Sequence, residues 1–300
     1  MSTADLHPAT STRSARRLRG WSTRRLLHAA LVYGCLIALT LFIALPLGWM
    51  LTAALKPDNV PVFTVPTEWF PTEFFNLGTF GDALLRPGEP YLRYVANTLF
   101  LSVVNIIGAV LSNSLIAYAF ARLNFRFKNV LFALVIATML LPAPVLLIPQ
   151  FLLFFNLGWY GTYLPLTVPA FTGSAFFIFL LRQYMRTIPK DLDEAARIDG
   201  AGYWTIYWRI ILPLSAPALV VVAVFTFLGS WNDFFGPLLY LDDPELFTLA
   251  LALSTEVSRR GTEWNIVMAA NLIAMLPPLV VYALSQRRLL GGIASVGIRG

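Results

Sequence analysis

The sequence predicts an all-α integral membrane protein with six transmembrane helices. Three observations lead to this fold class: 57% of the 300 residues are hydrophobic, only 13% are charged, and charged residues are absent from five long tracts. A typical soluble domain has roughly 25% charged residues. The composition therefore indicates a chain whose main solvent is lipid.

The five tracts without Asp, Glu, Lys or Arg predict where the spans lie. They comprise residues 26–55, 94–121, 129–181, 210–232 and 264–286. About 20 helical residues cross a bilayer core of roughly 30 Å, so four tracts hold one span each. The third tract, with 53 residues, is too long for one span. Turn-forming residues at 156–161 predict that the chain reverses there, which gives six spans.

The distribution of Lys and Arg predicts that both termini are cytoplasmic. With the N-terminus inside, the inner segments contain 17 of these residues and the outer segments contain 5. Loops rich in positive charge stay on the cytoplasmic side of a membrane. We interpret the basic N-terminal residues as a topology anchor that faces anionic membrane lipid, and not as a signal peptide or an arm that binds nucleic acid.

Catalytic and cofactor chemistry has little support in the sequence. The only histidines are His7 and His28, in or beside the N-terminal tail, so no metal cluster or histidine-based triad can be assembled. None of the three lysines, Lys56, Lys128 and Lys190, follows a Gly-rich loop that would hold ATP phosphates. We expect a protein that is not an enzyme and has no cofactor.

A transporter powered by an ion gradient usually carries ionisable groups within its spans. The five tracts contain none, and Asp233, which borders the fifth span, is interpreted as an interfacial residue. The sequence therefore favours a protein that takes its energy from a partner. An ion-gradient-driven secondary transporter stays open as the alternative, with a membrane-bound enzyme behind it.

The cytoplasmic segment at 188–213 has the local pattern of two short helices. Asp191 is predicted to cap the first helix, with Glu194 three residues later completing a capping box. Gly200 suits the left-handed residue that closes a helix. The first helix is thus expected at about 192–199.

The spacing within this helix predicts an apolar stripe between charges. The stripe contains Leu192, Ala195 and Ala196, and the flanking charges are Asp193, Glu194 and Arg197. Such a small stripe suits a close-fitting groove on another protein. An amphipathic linker with no partner is the alternative.

The same segment contains a longer pattern: Glu-Ala-Ala, three residues, Gly, nine residues, then Ile-x-Leu-Pro. The matching positions are Glu194, Ala195, Ala196, Gly200, Ile210, Leu212 and Pro213. This resembles the signature of the permease subunits of binding-protein-dependent ABC importers. The resemblance implies the type I ABC importer permease fold and a multi-pass location in the prokaryotic cytoplasmic (inner) membrane.

In that family the segment is a coupling helix that docks in a cleft of the ATPase subunit. The resemblance implies that Glu194, with Arg197 beside it, contacts the ATPase and that Gly200 makes the turn between the two helices. The implied partners are ATP-hydrolysing cassette subunits, a second permease subunit in a heterodimer and an extracytoplasmic sugar-binding protein. No nucleic acid is expected.

From about Arg93 onward the chain also resembles the carbohydrate-uptake permeases of the maltose type. The resemblance includes Asn97-Thr98, Ala119-Phe120-Ala121-Arg122, Ser230-Trp231-Asn232-Asp233 and Gly236-Pro237-Leu238. It implies a sugar or oligosaccharide as substrate, with a permease for a non-sugar solute as the alternative. We expect a cytoplasmic tail at 1–25, a first span with an outer loop at 26–92, a permease core at 93–287 and a cytoplasmic tail at 288–300.

Candidates for the substrate path are the side-chain amides of Asn105, Gln150 and Asn232, which could hydrogen-bond sugar hydroxyls. Small and polar residues also lie on one face of span two, namely Thr98, Ser102, Asn105, Ala109 and Ser112. Close helix packing explains this face as well as sugar contact does. The outer loops at 56–93 and 234–263 are interpreted either as contacts for the binding protein or as solvated connections.

Overall fold

The computed structural model describes residues 23–57, 60–63, 69, 75–85, 91–257 and 263–297. The expected N-terminal tail, much of the first outer loop and the last three residues lie outside these ranges. The described residues form α-helices and short 3₁₀ or π turns. In chain order the helices are α1 (Thr23–Ala54), α2 (Gly78–Leu85), α3 (Tyr91–Arg122), α4 (Lys128–Ala137), α5 (Ala143–Asn156), α6 (Leu164–Thr167), α7 (Ala175–Thr187), α8 (Asp191–Ile198), α9 (Tyr203–Ile206), α10 (Leu212–Leu214), α11 (Ala216–Trp231), α12 (Phe235–Tyr240), α13 (Leu249–Val257) and α14 (Trp264–Gly297).

The chain divides into two compact units, Met1–Trp49 and Met50–Gly300. In the first unit the described residues belong to the part of α1 up to Trp49, where apolar side chains such as Leu27, Leu41 and Phe42 are exposed. A helical segment that is apolar on all sides is suited to lipid.

The second unit is built around α3, which packs against α7 on one side and α11 on another. Two buried clusters lie at opposite ends of α3. The cluster at its C-terminal end joins Tyr118 to Leu181 of α7 and to Tyr207. The cluster at its N-terminal end joins Tyr91 to Trp231 of α11 and to Ala269 of α14. α3 thus positions the elements that surround it.

Four helical segments are long and apolar enough to cross a membrane, namely Leu26–Ala54, Tyr91–Arg122, Leu164–Thr187 and Trp264–Gln286. Two further segments pass the same test only as bent pairs, α4 with α5, and Tyr203–Leu214 with α11. The described residues therefore contain four to six spans. A turn lies where the reversal is predicted, at 156–161: α5 ends at Asn156 and the segment that follows contains two left-handed glycines, Gly158 and Gly161.

Both bent pairs differ from the straight spans that the tracts predict. The fourth tract, which is predicted to hold the fifth span, begins at Ile210, but its helix bends by 76° before α11. Ser215 lies at this bend, between Pro213 and Pro217. A proline lacks the N–H of a helix hydrogen bond and its ring crowds the preceding turn, which explains the break. Prolines at 142 and 144 occupy the other bend in the same way.

The last helix extends into the range expected to form the cytoplasmic tail at 288–300. α14 runs without interruption from Trp264 to Gly297, well past the apolar tract that ends at residue 286. The predicted boundary at 287 therefore does not coincide with the end of a helix.

We predict that Gly173→Ala destabilises the protein more than Gly158→Ala. Both glycines are left-handed, with φ of 90° and 70°, so alanine costs about 1–2 kcal/mol at either position. At Gly173 the added Cβ would also lie 2.8 Å from Ile116 Cδ1 and 3.2 Å from Ile178 Cδ1, whereas nothing lies within 4 Å at Gly158. Both atoms are the ends of isoleucine side chains that can shift, so the crowding adds about 1 kcal/mol. Thermal unfolding in detergent measures the two shifts, and equal shifts would contradict the packing of α3 against α7.

Candidate functional site

The segment with the Glu-Ala-Ala pattern forms the short helix α8, one residue earlier than predicted. Its N-cap is Lys190, whose carbonyl accepts hydrogen bonds from the backbone N–H groups of Asp193 and Glu194 at 2.9 and 3.1 Å. The predicted cap at Asp191 is therefore wrong. Lys190 already has helical angles, so Asp191 lies within the first turn, where its carboxylate favours the positive end of the helix dipole.

The C-terminal end of α8 has the predicted geometry. Gly200 is left-handed with φ of 83°. Its N–H donates to the carbonyl of Arg197 at 3.0 Å, and the N–H of Ala201 donates to the carbonyl of Ala196 at 2.9 Å. This pair of bonds is a Schellman motif, which satisfies the last carbonyls of a helix and fixes the direction in which the chain leaves.

The buried and exposed faces of α8 do not match the apolar stripe that the sequence predicts. Asp193 is buried and Ala196 is half-buried, and these two residues face the protein. Leu192 and Ala195 are exposed, and Ile198 is 87% exposed. The prediction of Asp193 as a flanking surface charge is wrong because this carboxylate has a buried partner. The apolar side chains that a partner could reach lie on the opposite face.

The partner of Asp193 is Arg122, the last residue of α3. Arg122 Nη1 lies 3.6 Å from Asp193 Oδ2, and the two side chains are only 2% and 8% exposed. Arg122 Nη2 also donates to the carbonyl of Ile188 at 2.8 Å. Two charges this deeply buried stabilise each other, because removing either one leaves an unpaired charge in the protein interior. The ion pair ties α8 to α3.

Two more polar contacts hold the segment that follows α8. The hydroxyl groups of Ser114 and Tyr207 form a buried hydrogen bond of 2.7 Å. Tyr118 Oη donates to the carbonyl of Tyr203 at 3.1 Å. Ser114, Tyr118 and Arg122 recur every four residues, so they share one face of α3. Sequence reasoning missed this face, although the i, i+4, i+8 spacing of three hydrogen-bonding residues was visible.

The remaining residues of the pattern lie at the base of α11. Ile210 and Leu212 pack against the cluster at the C-terminal end of α3, while Pro213 is exposed beside the bend. The backbone from Tyr207 to Ile211 forms a π turn. The whole segment from α8 to α11 is thus attached to α3 by polar bonds and by apolar packing.

A second candidate region is a cavity of about 350 Å³ between α3, the 3₁₀ turn at Val168–Phe171 and α11. Asn105 lines it, as do Asn113, Thr226, Ser230 and Asp233. Asn105 Nδ2 donates to Ser230 Oγ at 3.1 Å. Asn105 Oδ1 and Thr226 Oγ1 are buried without a hydrogen-bond partner. The cavity is thus lined by amides and hydroxyls whose bonding capacity is not fully used.

The other two candidates for the substrate path do not line this cavity. Gln150 is exposed on α5. Asn232 Nδ2 donates to the carbonyl of Leu228 at 2.8 Å, and Asn232 lines a separate cavity of about 530 Å³ with Trp231 and Asn271. Of the three amides proposed together, only Asn105 therefore lies in the cavity beside α3.

The polar face of span two is used mainly for packing. Leu249 N donates to Thr98 Oγ1 at 2.8 Å, and Ser112 Oγ donates to the carbonyl of Ala170 at 3.0 Å. Ser102 and Ala109 are buried. Close packing with interhelical hydrogen bonds is confirmed for this face, and two of its members, Asn105 and Ala109, also line the cavity.

Asp233 follows the end of α11, where its Oδ1 accepts a hydrogen bond from Gly236 N at 3.0 Å. Burial raises the pKa of this carboxyl above its ordinary value, and the backbone hydrogen bonds oppose the rise only in part. Within the described part of the chain, no three His, Cys, Asp or Glu side chains come together as metal ligands. The expectation that the protein needs no cofactor stays a prediction.

Long apolar helical segments packed around the central helix α3 define the class of the chain, which is a membrane protein. Comparison with known proteins gives the particular family. Residues 113–294 match the family described as "Binding-protein-dependent transport system inner membrane component". Because the match covers more than half of the chain, the protein belongs to this family.

Several curated relatives resemble nearly the full chain. One is the arabinooligosaccharides transport system permease protein AraQ of Halalkalibacterium halodurans, 30% identical over 86% of this chain and 92% of the relative. Another is the sn-glycerol-3-phosphate transport system permease protein UgpE of Yersinia enterocolitica, 33% identical over 89% of this chain and 94% of the relative.

A solved structure has the same fold. It is a chain of a bacterial ABC transporter involved in the import of the acidic polysaccharide alginate, with a TM-score of 0.79. The likeness covers 90% of this chain and 99% of that chain, at 21% sequence identity. The protein thus has the fold of an ABC importer permease.

We predict that Arg122→Gln or Asp193→Asn destabilises the protein by about 3–5 kcal/mol, because each leaves a buried charge alone. The double variant Arg122→Met with Asp193→Leu should recover most of this loss. The control is Glu245→Gln, which breaks an exposed ion pair with Arg93, 2.9 Å long with side chains 47% and 72% exposed. Its cost should stay below about 1 kcal/mol. Thermal unfolding in detergent measures all four, and a mild effect of both single variants would contradict the buried pair.

Proposed function

We propose that the chain forms one half of the pore of an ATP-driven importer for a sugar or oligosaccharide in a prokaryotic inner membrane, with α8 as the contact for a separate ATPase subunit. The observation that carries the proposal is an exposed helix attached rigidly to a spanning helix. Its partners would be ATP-hydrolysing cassette subunits, a second permease and an extracytoplasmic sugar-binding protein. Family membership supports this set of partners in general terms.

The exposed face of α8 suits a groove on a partner. Leu192, Ala195 and Ile198 follow each other at intervals of three residues and are exposed. Glu194 and Arg197 are exposed beside them. An apolar centre with charged residues around it is the usual arrangement of a docking surface. Motion of the partner would then move α8 together with α3, through the buried pair of Arg122 and Asp193.

The chemistry of the cavity beside α3 supports a neutral, hydroxyl-bearing solute. Its polar lining consists of amides and hydroxyls with Asp233, and among the described residues no Lys or Arg lines it. An anionic solute such as a phosphate ester would need cationic partners. The relatives include permeases named for an oligosaccharide and for glycerol-3-phosphate. A lining without cations favours the oligosaccharide and leaves a non-sugar solute as the second candidate.

An ion-gradient-driven transporter is the alternative from another class. Uptake by this chain alone, in vesicles that carry an ion gradient and no ATP, would establish it. The exposed α8 favours a partner-driven cycle, because a self-sufficient transporter has no use for a docking helix.

We predict that Ile198→Glu or Glu194→Ala weakens binding of the ATPase subunit and reduces transport, while the amount of chain in the membrane stays normal. A charge at an 87% exposed isoleucine costs nothing in the free chain but opposes burial in a groove. Association should weaken about tenfold or more. Copurification in mild detergent and uptake in cells measure the effect. Leu77→Glu, at a residue 73% exposed in the predicted outer loop, is the control and should retain both. Normal ATPase binding by both α8 variants would refute the proposal.

Six spans and two cytoplasmic termini also belong to the proposal, with the bent pairs counted as one span each. The chain has a single cysteine, Cys35, so Cys35→Ser gives a background for labelling. We expect Leu77→Cys and Asp242→Cys to react with a membrane-impermeant maleimide in intact spheroplasts. Arg126→Cys and Ile198→Cys should react only after permeabilisation. Labelling of Ile198→Cys in intact spheroplasts would overturn the orientation.

A further inference from the structure

A cavity of about 630 Å³ lies where the end of α3, the start of α4 and the end of α7 meet. It is separate from the cavity that Asn105 lines. Five of its lining side chains are cationic, namely Arg122, Lys128, Arg182, Arg186 and Lys190. Among the residues that the structure describes, no carboxylate lines it. So many like charges around one space repel each other, and an anion bound there would offset the repulsion.

The contacts of these five cations neutralise only one of them, so the cavity keeps a net positive charge. Arg122 is neutralised by Asp193. Lys128 Nζ donates to the carbonyl of Leu123 at 2.7 Å, and Arg182 Nε donates to the carbonyl of Phe120 at 3.2 Å. Backbone carbonyls fix the direction of these side chains but carry no full charge. Lys128, Arg182, Arg186 and Lys190 therefore remain to bind an anion.

The surroundings of the cavity are apolar and exposed. Phe125 and Phe127 line it and are 39% and 63% exposed. Along α4, Val130, Leu131 and Leu134 are 58%, 45% and 59% exposed. Aromatic residues gather at the depth of the lipid headgroups, and exposed aliphatic residues next to them suit acyl chains. A soluble anion would gain nothing from this apolar surface, whereas a lipid would gain from both parts.

We propose that this cavity binds the headgroup phosphate of an anionic phospholipid, with the acyl chains lying along α4. Basic pockets between membrane helices on the cytoplasmic side are suited to anionic headgroups. The bound lipid would join α4 and α7 to α8, because Lys190 is the N-cap of α8. The inference goes beyond the proposed transport function, and lipid binding by the isolated chain tests it without any transport.

The test uses the full chain, purified in neutral detergent and titrated with phosphatidylglycerol or phosphatidylcholine, with bound lipid counted by native mass spectrometry. We expect one phosphatidylglycerol to be held in preference to phosphatidylcholine. The variant Arg186→Gln with Lys190→Gln removes two exposed cations from the cavity. Its affinity for phosphatidylglycerol should fall about 25-fold, which is about fivefold for each cation.

The matched control is Arg126→Gln with Arg209→Gln. It removes the same charge from two exposed residues that do not line the cavity, and it should keep the wild-type affinity within about twofold. An equal loss in the control, or equal binding of the two lipids, would overturn the proposal. Displacement by inorganic phosphate at the concentration of the lipid would make the ligand a free anion and would also overturn it. A third outcome would also overturn the proposal: the cavity variant binds lipid as the wild type does but no longer associates with the ATPase. That result would assign these cations to a protein contact.

Discussion

The buried ion pair between Arg122 and Asp193 is the interaction on which the presentation of α8 depends. An eight-residue helix is too short to be stable alone in water. α8 keeps its shape because the Schellman motif closes one end and the ion pair fixes one face. The carbonyl of Ile188, which Arg122 also binds, orients the chain just before the helix. The opposite face is thereby left exposed in one fixed orientation, which a partner can bind without first ordering the helix.

The sequence predicted the backbone of this region better than its contacts. Gly200 was identified because a left-handed position is a local property, and the chain has a residue that tolerates it. The burial of Asp193 could not be predicted in the same way. Its partner is on another helix, and the spacing within α8 does not say which face is covered. A charged residue in a short amphipathic helix is usually solvated, so a buried carboxylate is apparent only once α3 is in contact with it.

The spans illustrate a second limit. Tracts without charge predicted which segments are apolar and that the third tract reverses after Asn156. They did not predict the bends, because counting charged residues ignores the backbone hydrogen bonds that a helix must make. Pro213 and Pro217 carry that information, since each lacks one donor. Membrane helices tolerate proline in other places, so its presence alone did not distinguish a bent span from a straight one.

The continuity of α3 determines how a motion at α8 can reach a solute. α3 contains no proline and runs unbroken from Tyr91 to Arg122. Asn105 and Arg122 are therefore about 25 Å apart along one rod, at about 1.5 Å per residue. The other route, through the base of α11, passes the bend at Ser215, where a rigid connection is interrupted. In the proposed cycle a displacement of α8 would move Asn105 against Ser230, which breaks or remakes a single hydrogen bond at the wall of the cavity. Because Asn105 Oδ1 and Thr226 Oγ1 already lack partners, a hydroxyl-bearing solute could satisfy them at little cost.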